Sequence, residues 1–226
     1  MMHEELNYLG VNNFDIPNKN KKNEFNDFNL IFNRNNYSII SKLFYGTFKE
    51  TKKCNTCNNI NFNYQKFGLI SFEMNKYSQK KFNIYDGFKD NEKPKLLSDN
   101  NKIYCNICKN LSDYQYYYKI IEPPSKLLIN INYDNNNENK PSKVEFDEII
   151  DISKYIDFSY KLPIKYRINF ICSYLSNSIN NNINYITFCW NKENKNWYKY
   201  ENYFFIKCKK NEIYTGYPYL LLYEKI

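Results

Sequence analysis

Two Cys-x-x-Cys pairs, Cys54/Cys57 and Cys105/Cys108, constrain this chain more than any other feature. Two thiolates two residues apart grip one ion from a single tight turn, and two such turns complete the tetrahedral four-sulfur shell of a structural zinc. Residues 58–104 separate the pairs, too many for a compact zinc ribbon. The spacing therefore predicts knuckles at the tips of different hairpins of a larger sheet, with the metal joining the tips. The competing reading is two unrelated turns carrying reduced thiols.

With 226 residues, 42% hydrophobic and 19% aromatic, the chain can bury a sizeable core. Its aromatic residues are mostly tyrosine (24) and phenylalanine (17), which favour strands. The formal charge of +8 comes from scattered lysines. Scattered charge reads first as a solvated surface and only second as a nucleic-acid groove. Four of the seven cysteines are committed to the metal site, leaving Cys172, Cys189 and Cys208, and this usage fits a reducing compartment. No apolar run approaches the roughly 20 residues of a membrane span, so no membrane partner is expected. Glu4 and Glu5 stand where a secretory or mitochondrial leader would be basic, and the expected location is cytoplasmic or nuclear.

Along the chain, Met1–Leu9 reads as a helix end closed by Gly10, and Asn12–Asn36 as an Asn- and Lys-rich loop, partly disordered. Ser38–Phe44 has helical spacing, and Thr47–Lys53 runs as a strand into the first knuckle. Strands are predicted at Phe62–Phe67, Leu69–Met74 and Asp113–Ile121, with a short helix at Phe82–Phe88. Lys126–Tyr133 is the clearest strand: Leu127, Ile129, Ile131 and Tyr133 fall on one face, which predicts a central strand with that face in the core. Asp134–Pro141 reads as a polar loop and Val144–Ile152 as a further strand or turn. Tyr166–Leu175, Tyr185–Trp190, Trp197–Tyr200 and Pro218–Tyr223 complete an antiparallel set. The expected fold class is α+β, mainly antiparallel β, with a zinc-tipped extension.

Five blocks in this order, Ser38 through Cys57, Tyr104–Cys108, Pro124–Tyr133, Trp197–Glu201 and Tyr217–Lys225, resemble the ubiquitin-specific protease family of deubiquitinases. The resemblance implies a papain-like cysteine protease fold of fingers, palm and thumb, the fingers and palm gripping ubiquitin. Residues 37–226 would then be fingers and palm, with the zinc-bearing fingers over about 44–120, and residues 1–36 a remnant of the thumb side plus the loop. The family's nucleophilic cysteine lies in an amino-terminal box that has no counterpart in this sequence, which reads as beginning after it. The family histidine, in a Gly-His-Tyr motif, aligns with Asn184 of Ile183-Asn184-Tyr185, and the family Asp or Asn aligns with Glu201, after Trp197-Tyr-Lys-Tyr200.

A neutral amide at Asn184 cannot take a proton from a thiol or return one to a leaving amine. The only histidine, His3, reads as a solvated surface residue, and Cys172, Cys189 and Cys208 as buried packing residues. Glu201 then has no imidazole to orient and reads as an exposed turn carboxylate. The expectation is a deubiquitinase homologue without catalytic residues that binds ubiquitin or ubiquitinated proteins or serves as a scaffold. Tyrosines among Tyr114, Tyr116, Tyr117 and Tyr118 are candidate aromatic anchors. Two other readings stay open: a carboxy-terminal fragment of a longer deubiquitinase, and a basic zinc-binding protein that contacts nucleic acid.

Overall fold

The computed structural model describes residues 24–74, 81–133, 143–157, 163–176, 183–201 and 203–226. His3, the expected helix at Met1–Leu9 and the expected loop at Asp134–Pro141 lie outside them. The helices are α1 (Glu24–Asn36), α2 (Ile39–Phe44) and α3 (Ile84–Glu92). The strands are β1 (Gly46–Cys54), β2 (Ile60–Phe67), β3 (Ile70–Glu73), β4 (Phe82–Asn83), β5 (Lys95–Leu97), β6 (Ile103–Cys105), β7 (Asn110–Ser112) and β8 (Tyr114–Glu122). They continue with β9 (Lys126–Asn132), β10 (Val144–Glu145), β11 (Ile149–Asp151), β12 (Lys165–Ser176), β13 (Ile183–Asn191), β14 (Asn196–Glu201), β15 (Phe204–Cys208) and β16 (Tyr217–Lys225). Contacts divide the chain into two units, residues 1–68 with 92–125, and 69–91 with 126–226.

In the first unit, β2-β1-β8-β5 form an antiparallel sheet, and β6 and β7 form a separate hairpin. Phe48 of β1 stacks on Phe67 of β2 at 4.1 Å between ring centres. Helix α2 starts at Ser38, whose hydroxyl accepts the Ser41 amide while the Ser41 hydroxyl accepts the Ser38 amide. The expected loop at Asn12–Asn36 is corrected over its described part, because Glu24–Asn36 is helical. Phe25, Phe28 and Phe32 recur at helical spacing, so one turn after another has an apolar anchor despite the asparagines. Phe25 and Phe28 meet Tyr64 at 5.4 and 5.9 Å, and Phe32 meets Tyr45 at 5.7 Å.

The second unit is built on an eight-stranded sheet ordered β15-β14-β13-β12-β16-β9-β3, with β11 against the start of β12. Every pairing is antiparallel except β3 with β9. The fold is the expected mainly antiparallel α+β arrangement. Residues 69–91, which fall by number within the expected fingers, belong to this unit. Strand β9 alternates as predicted, with Leu127, Ile129 and Ile131 at most 2% exposed. It is not central, however: β3 is its outer neighbour, and the middle of the sheet is β12. The helix expected at Phe82–Phe88 begins two residues later, because Asn83 caps it by accepting the Tyr85 amide. The strand β15 was absent from the sequence-based set, since its Phe204-Phe-Ile206 run is exposed at the sheet edge and lacks alternation.

Helix α3 lies against β3 through Gly87, where an added Cβ would sit 2.4 Å from Phe72 Cγ. Phe72 is itself held edge-on by Phe88 at 5.1 Å. Alanine would gain roughly 1 kcal/mol of helix propensity, whereas overpacking a filled core costs roughly 1–3 kcal/mol. Gly87→Ala is therefore expected to destabilise the protein by about 1–2 kcal/mol, read as a lower midpoint in denaturant unfolding.

Candidate functional site

The two knuckles are built alike. Cys54 ends β1 and Cys105 ends β6, and each is followed by a turn that carries the second cysteine of its pair. The amide of Asn58 donates to Cys54 O at 3.0 Å, and that of Lys109 donates to Cys105 O at 2.8 Å. Asn58 and Lys109 both take left-handed backbone, with φ of 58° and 56°. This bends each turn so that its inner amides face a sulfur: those of Thr56 and Cys57 face Cys54, and those of Ile107 and Cys108 face Cys105.

The predicted quartet is brought together. Cys54 Sγ lies 3.9 Å from Cys108 Sγ, Cys57 Sγ lies 3.6 Å from Cys105 Sγ, and all four sulfurs lie within 4.8 Å of one another. No pair is at bonding distance, and all seven cysteines are free thiols. Sulfurs about 2.3 Å from a tetrahedral ion are about 3.8 Å apart, so the quartet fits such an ion without rearrangement. Cys54 and Cys105 are fully buried, and their partners are half-buried.

The electrostatics favour thiolates at the buried positions. The Tyr114 hydroxyl, followed by the inner amides, lowers the Cys105 thiol to about 6. The Cys57 amide, working against burial, lowers Cys54. Cys108 is pushed up to about 12 by its bond to Cys57, by burial and by the other sulfurs. A cation among them relieves that conflict, since metal binding displaces thiol protons. Surface anchors were expected somewhere among Tyr114, Tyr116, Tyr117 and Tyr118, with no one of them singled out, and Tyr114 is not a surface residue. It is instead 2% exposed and packed on Cys54 and Cys105, because it is the first residue of β8 and pairs with Cys54 of β1. Tyr116, Tyr117 and Tyr118 are half-buried, and Tyr118 donates to Glu50 at 3.0 Å. Sequence spacing gives no sign of the Tyr114 role, as the pairing that brings it to Cys54 is long-range.

In the second unit, Asn184 is the second residue of β13, opposite Leu175 of β12, and Glu201 ends the antiparallel neighbour β14. The two therefore lie at the same end of adjacent strands. Asn184 is exposed, and Glu201 pairs with Lys199 at 3.0 Å. Nearby on β12, Cys172 Sγ lies 2.8 Å from Tyr219 Oη and 3.4 Å from Thr187 Oγ1. Burial, then the bond to Cys172, pushes the Tyr219 hydroxyl to about 12, so it is a proton donor at neutral pH and not a base. Burial likewise pushes the Cys189 and Cys208 thiols up, which keeps them protonated.

An antiparallel palm-like sheet and a four-cysteine cluster on paired knuckles together define a class of protein, and comparison supplies its family. The family model described as ubiquitin carboxyl-terminal hydrolase matches residues 2–223. The chain belongs to that family, the ubiquitin-specific proteases. It is 24% identical over 207 residues to ubiquitin carboxyl-terminal hydrolase 5 of Saccharomyces cerevisiae, covering 84% of this chain and 25% of that protein. It is 25% identical over 240 residues to ubiquitin carboxyl-terminal hydrolase 9 of the same yeast, covering 99% and 30%. Among solved structures, a chain of the SAGA DUB module Ubp8/Sgf11/Sus1/Sgf73 bound to monoubiquitin superposes with a TM-score of 0.68 at 22% identity. That match covers 84% of this chain and 42% of the other. The module bound to ubiquitin aldehyde gives 0.68 at 22% identity, covering 94% and 45%. The chain thus spans a quarter to a third of the curated relatives it matches.

Left-handed backbone costs an ordinary L-residue roughly 1–2 kcal/mol, which glycine avoids. Lys109→Gly is expected to leave the protein as stable or raise its thermal midpoint. Lys109→Val, β-branched at the same φ, is expected to lower it by about 1–2 kcal/mol in the same melting experiment.

Proposed function

We propose that this chain binds ubiquitin without hydrolysing isopeptide bonds, and that zinc held by Cys54, Cys57, Cys105 and Cys108 keeps its fingers in order. The observation that carries this reading is Asn184, an exposed amide on β13 at the position to which the family resemblance assigns the catalytic histidine. An amide has no lone pair basic enough to deprotonate a thiol, and Glu201, tied to Lys199, has no imidazole to orient. The sequence contains one histidine, His3. Among the described residues, the groups hydrogen-bonded to the Cys172 sulfur are the hydroxyls of Tyr219 and Thr187, neither of them a base. Removing the base alone costs on the order of 10⁶-fold in turnover in well-studied hydrolases.

Binding needs none of that chemistry. A folded partner such as ubiquitin is recognised over a broad surface, of which half-buried Tyr116 and Tyr117 could supply part. Family membership supports ubiquitin as the partner, and so does a structural neighbour bound to monoubiquitin. Four sulfurs fill a tetrahedral zinc completely, so the metal serves structure and leaves no position for a reacting water. The thiol-rich site favours cytoplasm or nucleus, where cysteines stay reduced.

Two experiments test this. The purified chain is expected to bind immobilised ubiquitin saturably while leaving a fluorogenic ubiquitin conjugate uncleaved. Turnover that disappears in Cys172→Ala, Cys189→Ala or Cys208→Ala would reveal a working nucleophile and overturn it, and so would failure to bind. Separately, elemental analysis is expected to find one zinc per chain, lost in Cys105→Ser, with the four-stranded sheet loosened and the amide signals of residues 126–226 retained. An unchanged zinc content in Cys105→Ser would refute the metal assignment.

A further inference from the structure

A cavity of about 410 Å³ opens on the second unit, on the face of the sheet where β12, β13 and β16 run together. Its size is at the lower end of the range for small-molecule sites. It is unrelated to the strand end that carries Asn184. Arg167 lies eight residues back along β12 from Leu175, the partner of Asn184, roughly 25 Å away at strand rise.

The lining has three chemical components. The first is positive charge: Arg167, Lys192, Lys195 and Lys225 against the single side-chain carboxylate of Glu224. Even with the main-chain carboxylate of Ile226 counted, two positive charges remain in excess. Glu224 is already shared, accepting from Lys126 at 3.4 Å, from Lys192 in closer contact, and from Asn169 Nδ2 at 3.0 Å. Arg167 and Lys195 have no carboxylate partner among the described residues, and both are exposed.

Lys195 is also held in place. It sits at φ 53° in the turn between β13 and β14. Asn191 Oδ1 accepts the amides of Glu193 and Asn194, and Asn194 Oδ1 accepts that of Asn196.

The second component is an aromatic face. Trp190 lines the cavity, steadied from the next strand by Trp197 at 5.5 Å. The third is polar: Asn169 lines the cavity and donates from Nδ2 to Glu224 at 3.0 Å.

We infer that this cavity binds a nucleotide unit: phosphate against Arg167 and Lys195, and a base stacked on Trp190. Planar guanidinium and lysine are the usual partners of phosphate, and indole stacking accepts any base. The inference does not depend on ubiquitin binding, so either can fail alone. The nucleotide could be free or part of a single strand, and the test separates these sources.

The whole chain is titrated at physiological salt with AMP, with a ten-nucleotide single-stranded RNA and with sodium pyrophosphate, following tryptophan fluorescence and calorimetry. AMP is expected to bind saturably with quenching, and pyrophosphate more weakly. Arg167→Ala/Lys195→Ala, two exposed positions whose replacement should leave the circular dichroism unchanged, is expected to weaken binding at least tenfold. Binding of AMP supports a free nucleotide, and binding of RNA alone supports the same unit within a strand. Absence of binding by both overturns the inference. Equal binding of pyrophosphate and AMP, or a double variant that binds like the parent, overturns it as well.

Discussion

Four sulfur atoms gathered within 4.8 Å, none bonded to another, are the constraint on which the first unit depends. Without a cation they conflict: hydrogen bonds draw Cys105 and Cys54 toward thiolate while the crowd of sulfurs holds Cys108 protonated. The surrounding packing cannot compensate by itself. The buried cluster at that end consists of Cys54, Cys105 and Tyr114, with the other two cysteines, Leu97 and Ile103 packed against it. A hairpin as short as β6–β7, three residues a side, is marginal in water on its own. A metal held by the four sulfurs would substitute for a core this part of the chain is too thin to build.

The second unit solves its stability problem in the ordinary way. Strand β12 lies between β13 and β16, and Tyr166, Ile168 and Ile171 along it are fully buried, as are Leu221 and Tyr223 of β16. Tyr223, the bulkiest of the polar members, keeps its hydroxyl satisfied by donating to Asp147 O at 2.8 Å. Bulges in the β12–β16 pairing, between Ile168 and Phe170 and between Cys172 and Ser173, shift the register. The first of these places Asn169 outside the regular pairing, on the stretch of β12 that also carries the cavity-lining Arg167.

What the sequence made legible was whatever is written in local spacing. Cys-x-x-Cys twice, alternation in Lys126–Asn132 and helical spacing over Ser38–Phe44 all have physical causes within a few residues, and each is found in the structure. Errors arose where composition masked a pattern or where contacts are long-range. The asparagines around Phe25, Phe28 and Phe32 hid a helical stripe, and the exposed Phe204-Phe-Ile206 gave no alternation to mark β15. Tyr114 stood among the candidate surface anchors because nothing local says that β8 pairs with β1 in the register that brings it to Cys54. The family resemblance carried the candidate catalytic positions, but only pairing shows that Asn184 and Glu201 end neighbouring strands together.

The charge distribution follows the same logic. Scattered lysines read as a solvated surface, and for many of them this holds: Lys81, Lys89 and Lys102 pair with single carboxylates at partly exposed positions, where such pairs contribute little. Around Arg167 the sheet acts differently, because three strands and one turn bring residues from separate parts of the chain to one concavity. There Glu224 serves several cations, and Arg167 and Lys195 have no carboxylate partner among the described residues, at a site walled by Trp190. Net charge cannot distinguish these two situations. Pairing can, since a cation whose neighbours are already committed is available to an anion from outside, and a low-dielectric aromatic wall strengthens whatever attraction it offers.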